Sequence, residues 1–147
     1  MRWLALLLLL SGCATGHRWY WKPAAEIGGG ATRDVLLWSL PETEADLAFD
    51  CDADALRIIL VGVEQAMAEP VRLTASSVVF QGRLVPDPPD GLEAATIQVP
   101  LDHPLVAAIA DGARSIRFDW QDSHGRIPLG RIPSRFVQAC IEPEDRK

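Results

Sequence analysis

Apolar positions in this chain come in short runs bounded by turn residues, a spacing that predicts strands more than helices. Strands are expected near Val35 to Leu40, Leu47 to Cys51, Leu56 to Val63, Val71 to Ala75, Val78 to Val85, Ala95 to Val99, Ser115 to Gln121 and Arg126 to Ile132. The clearest alternation sets Ile116, Phe118 and Trp120 against Arg117, Asp119 and Gln121, one face for a core and one for water. That strand should form a hairpin with Ile127 to Ile132 across Asp122 to Gly125, and Pro128, which has no N–H to give a ladder, makes the last strand an edge. Leu56 to Val63 is apolar on both parities and belongs in mid-sheet. Helical spacing is confined to Pro104 to Ala110, with Asp102 as its cap and Gly112 as its stop, and to Ser134 to Cys140. The pattern predicts a mainly β domain over residues 35–141, a small antiparallel β-sandwich or partly closed barrel with one or two short helices. Residues 142–147 form a charged tail.

The chain before Val35 follows a different rule. Arg2 is followed by an unbroken apolar run from Leu4 to Leu10 and then by Ser11-Gly12-Cys13. Spanning a bilayer takes about 20 apolar residues, so this run is too short for a membrane span and has the parts of an export signal. Leu10-Ser11-Gly12-Cys13 resembles the lipobox of bacterial lipoproteins. The resemblance implies that residues 1–12 are a signal peptide, that cleavage falls before Cys13, and that Cys13 carries the lipid. Several acyl chains hold a protein on a bilayer durably where one holds only reversibly. Ala14 rather than Asp after the cysteine resembles the outer-membrane class, so the expected location is the cell envelope, anchored in the outer membrane and facing the periplasm.

Residues 13–34 then read as a lipidated cysteine and a flexible tether, glycine-rich at Gly28-Gly29-Gly30. Within it Trp19, Tyr20, Trp21 and Lys22 have the aromatic and cationic character that favours a headgroup zone, and they are candidates for a membrane-interface cuff. The competing reading packs Trp19 and Trp21, spaced by two, as a strand edge on the domain.

The chain carries a formal net charge of −6 and shows no Lys/Arg cluster in sequence, which argues against a nucleic-acid partner. The acidic balance fits a cationic protein partner or plain solubility. With Cys13 assigned to lipid by the resemblance, Cys51 and Cys140 remain, and an exported chain meets an oxidising compartment. A Cys51–Cys140 bridge is the economical expectation, and two separate buried thiols are the alternative. Phe49-Asp50-Cys51 in an early strand and Phe136-Val137-Gln138-Ala139-Cys140 near the end resemble small uncharacterised disulfide-bearing periplasmic domains of proteobacteria over residues 46 to 141. That resemblance brings no chemistry with it.

Catalytic signatures are thin. No Gly-x-Ser-x-Gly or His-Glu-x-x-His occurs, and the triple glycine lacks the strand, helix and Lys-Ser/Thr of a phosphate loop. His17, His103 and His124, with Asp102 or Asp122 nearby, have the donor types of a zinc or copper site but sit in turn-like contexts. Asp50, Asp52 and Asp54 alternate as hard oxygen ligands would, without the glycine and glutamate of a calcium loop. Leu40-Pro41-Glu42-Thr43-Glu44 resembles a sortase signal in its first four residues and lacks the glycine. Glu42, Glu44 and Asp46 are too weakly placed to propose as paired catalytic carboxylates. No catalytic residue, metal ligand or cofactor is assigned. The expectation is a lipid-anchored, non-enzymatic binding or accessory domain, presenting the loop Pro86 to Gly91, the tip Asp122 to Arg126 or the Pro128 edge. The alternative is an inhibitor of a cationic envelope-degrading enzyme such as lysozyme.

Overall fold

Nine strands form where the pattern alternates or runs apolar: β1 (Arg18–Lys22), β2 (Val35–Ser39), β3 (Leu47–Cys51), β4 (Ala55–Val61), β5 (Glu69–Ala75), β6 (Val78–Pro86), β7 (Ala94–Pro100), β8 (Ser115–Trp120) and β9 (Ser123–Pro128). Among the described residues two short helices, α1 (Pro104–Ala110) and α2 (Arg131–Ile141), accompany the strands. The computed structural model describes residues 16–24, 33–40, 46–61, 69–86 and 94–142. The expected signal segment, Cys13, the triple glycine, the Pro41 to Glu44 stretch, residues 87–91 of the expected recognition loop and residues 143–147 of the expected tail lie outside them.

The strands make one antiparallel sheet in the order β1-β2-β3-β4-β7-β6-β5-β8-β9, curled into a half-barrel. The expected mainly β fold is present as the partly closed barrel. Register keeps one parity of every strand inside. Leu36, Phe49 and Ile58 stand opposite one another along β2, β3 and β4, and Ile58 opposite Ile97 of β7. Leu73 lies between Phe80 and Phe118 where β5 joins β6 to β8. Apart from Phe80, which is half-buried, these side chains are buried, as are Leu56, Leu84 and Ile116. A one-residue slip would turn that whole set to water, so burial itself specifies the register. β4 is fourth of nine, and its outward Ile59 and Val61 are half-buried, in keeping with its two apolar parities.

The helices cover the open side. α1 buries Leu105, Val106, Ile109 and Ala110, and α2 buries Pro133, Phe136, Val137 and Cys140. α1 ends as a Schellman turn: Gly112 at φ +95° lets its N–H reach Ile109 and lets Ala113 N–H reach the Ala108 carbonyl. Its cap is His103 rather than Asp102, the His103 Nδ1 accepting from Leu105 N–H at 3.1 Å. α2 begins three residues earlier than the sequence suggests. Pro133 still falls in the first turn, where the missing N–H costs nothing, so Ile132, expected at the end of a strand, is helical. Ser134 Oγ and Gln138 Nε2 both donate to the Ala110 carbonyl and lock the helices together. The Cys51–Cys140 disulfide, with its Cα atoms 5.9 Å apart, ties the end of β3 to the last turn of α2.

The expected tether is corrected over residues 18–22. Trp19 and Trp21 pair opposite Trp38 and Leu36, making Arg18–Lys22 the first edge strand of the sheet. Cross-strand aromatic pairs stabilise such an edge, which an isolated short segment of polar and aromatic residues does not reveal.

The β5–β6 hairpin turns through two residues, Ser76 and Ser77, at φ +46° and +67°. Both are left-handed positions that cost an L-residue roughly 1 kcal/mol or more, and Asn-Gly is the pair such a turn favours. Ser76→Asn with Ser77→Gly is therefore expected to raise the thermal midpoint by a few degrees. A lowered midpoint would show that the serine hydroxyls stabilise the turn by more than its strain costs.

Candidate functional site

On the outward face of β5, β6, β8 and β9, alternation leaves a mainly polar set: Arg72 and Thr74 of β5, Ser115, Arg117 and Asp119 of β8, and Arg126 of β9, with Val79 of β6 as its apolar member. With Ser76 and Ser77 at the hairpin turn they line an open cleft of about 430 Å³. Sheet pairing builds it. Arg72 stands opposite Asp119 and Thr74 opposite Arg117, which in turn stands opposite Arg126. Two like charges directly opposite on one sheet face repel, a local cost that stable strands ordinarily avoid.

Asp119 partly offsets that cost. Its Oδ1 accepts from Arg117 Nε at 3.0 Å and pairs with His124 Nδ1 at 2.5 Å. Among the described residues Arg72 and Arg126 have no carboxylate partner. The His124 hydrogen bond is the main influence holding the Asp119 carboxyl below its ordinary value; burial opposes it, and the hydrogen bond and charge of Arg117 add to the lowering. A depressed folded-state value adds stability that is present above the unfolded value near 3.8 and is lost as pH falls through the folded one. The difference in urea midpoint between the protein and Asp119→Asn is therefore expected to shrink between pH 6 and pH 3, and a constant difference would remove this linkage.

The other sequence candidates are dispersed. His17 Nε2 bonds Asp46 Oδ2 at 2.8 Å, and its ring stacks on Trp38. His103 caps α1 and sets its edge on Phe80, and His124 serves Asp119. Among the described residues no three His, Cys, Asp or Glu side chains gather as metal ligands would. Asp50 pairs with Arg57 at 3.1 Å and Asp52 with Arg33 at 3.1 Å, so two of the three aspartates around Cys51 are paired with arginines. Glu42 and Glu44 lie outside the described residues.

Of the interface candidates, Trp19 rests on Trp38 and Phe49 with ring centroids about 5 Å away and donates its indole N–H to the Pro128 carbonyl. That bond joins β1 to β9, the two edges of the half-barrel, so part of the expected Pro128 edge is occupied. Trp21 meets the edge of Phe136 and donates to Asp34. Tyr20 and Lys22 have the opposite parity, Tyr20 half-buried and Lys22 exposed. The two indoles therefore pack on the domain. Of the expected recognition elements, the Asp122 to Arg126 tip contributes Arg126 to the cleft.

Sequence reading missed the cleft as a whole. Its signal was the outward parity of Arg117 and Arg72, but nothing local says that β5 lies beside β8, forty residues on. The chain matches no protein-family model, no curated protein and no solved structure. The chemistry of the cleft must carry the functional argument.

Proposed function

We propose that this chain is a lipid-anchored bacterial cell-envelope protein, facing the periplasm from the outer membrane, that acts by binding an anionic ligand in the β5–β8–β9 cleft. One observation carries the binding half: three arginines converge on one open face of a chain whose net charge is −6. Surface cations in an acidic protein are normally interspersed with carboxylates, and here two of the three are not paired. The anchoring half rests on the lipobox resemblance at Cys13. Hydroxyls and guanidinium groups without a nucleophile–base pair suit recognition rather than catalysis. Inhibition of a cationic enzyme would call for a docking face of the opposite sign.

The test is retention of the full chain, purified in detergent, on a sulfonated matrix at low salt. Retention is expected despite the net negative charge. Arg72→Gln with Arg126→Gln should abolish it, while Arg131→Gln with Arg135→Gln, the same charge change on exposed positions of α2, should leave most of it. Equal losses in the two pairs would overturn the cleft. In cells, Cys13→Ser should stop incorporation of labelled palmitate, and continued labelling would overturn the anchor.

A further inference from the structure

Resting on the anionic-ligand reading, we infer that the cleft is a phosphomonoester site. The charge count comes first. Arg72, Arg117 and Arg126 against Asp119 leave two uncompensated positive charges, and a phosphomonoester carries roughly −1.5 to −2 at neutral pH, whereas a carboxylate or a sulfate ester carries one charge. The donor set comes second. Guanidinium forks bind phosphate oxygens two at a time, and the hydroxyls of Thr74, Ser76, Ser77 and Ser115 supply further donors around the same space. Among the described residues the lining holds no aromatic side chain and Val79 as its one apolar one, so the part of the ligand it grips is the charged head.

Strain gathers at the same place. Two local rules are broken at this one place: Arg117 faces Arg126 across a strand pair, and Ser76 and Ser77 occupy left-handed backbone positions that glycine or asparagine would hold at less cost. Both costs fall on residues that line the cleft. A bound dianion between the arginines removes the first. Hydroxyls held at the rim explain why serine stands in the turn, since strain retained against easy relief collects at sites of function.

The experiment is isothermal titration of the full chain in detergent with glycerol 3-phosphate, with sodium methyl sulfate and sodium acetate at matched ionic strength as competitors. Saturable binding of the phosphomonoester is expected, at least tenfold tighter than either competitor. Arg72→Gln and Arg126→Gln should each weaken it about tenfold. Ser76→Asn with Ser77→Gly should weaken it while raising the thermal midpoint, a combination that damage to the fold cannot produce. Comparable affinity for glycerol 3-phosphate, methyl sulfate and acetate would overturn the phosphomonoester assignment and leave the anionic-ligand reading standing. No heat with any of the three would overturn both. Dioctanoyl phosphatidic acid in the same micelles separates the sources. Tighter binding than glycerol 3-phosphate identifies a lipid headgroup, equal binding identifies a free phosphomonoester, and either supports the assignment.

Discussion

Cys51→Ala together with Cys140→Ala is expected to lower the stability of the fold by about 4 kcal/mol. Closing a loop over a sequence separation of 89 residues removes chain entropy worth roughly 4 to 5 kcal/mol from the unfolded ensemble, and native-state strain reduces that value. Domains of this size have about 5–15 kcal/mol in total, so the loss is a large share. The position of the bridge makes the effect structural as well as entropic. It holds the last turn of α2 on β3, and α2 supplies Phe136 and Val137 to the lid over the core. Thermal melts of the full chain in detergent, with and without reductant, should differ by on the order of 15 °C or more. Coincident melts would mean that helix packing alone holds α2, through Phe136 and the Ser134 and Gln138 bonds to Ala110.

Trp19→Ala is expected to cost about 3 kcal/mol, because large-to-small changes at packed aromatic positions lose both burial and contacts. The indole lies on Trp38 and Phe49 and closes the seam between β1 and β9 through its bond to Pro128. Trp19→Phe separates the two contributions: the ring stays, and the loss should fall to about 1 kcal/mol, the size of one hydrogen bond. Urea midpoints of the three proteins give the answer. An unchanged midpoint in Trp19→Ala would detach β1 from the fold and return Trp19 to a membrane role.

Alternation within a strand is a property of neighbouring residues, and it was legible throughout the domain. The strand Leu47–Cys51, the helix Pro104–Ala110, the stop at Gly112, the central place of β4 and the edge position of β9 all follow from period, parity or a single proline. β1 had two readings because Arg18–Lys22 joins polar and cationic positions with two tryptophans, a composition as suitable for a membrane surface as for a sheet edge. Only its partners decide between them. The α2 start was misplaced for a related reason, since Pro133 is as acceptable within a first turn as at its beginning.

The sequence by itself determined the strand-rich class, the inward and outward parity of each strand, the economy of joining Cys51 to Cys140, and the resemblance at Leu10 to Cys13. These depend on residue type and short spacing, which local sterics and the need to bury apolar surface translate directly into structure. The tertiary structure alone decided that Trp19 would close a seam, that Pro128 would accept its hydrogen bond, and that Arg72, Arg117 and Arg126 would share one cleft. Each of these is a pairing between distant strands. It is set by the burial of the opposite face, where Leu73 lies beside Phe118 and Ile116 beside Ile127 and the arginines are carried with them to one side.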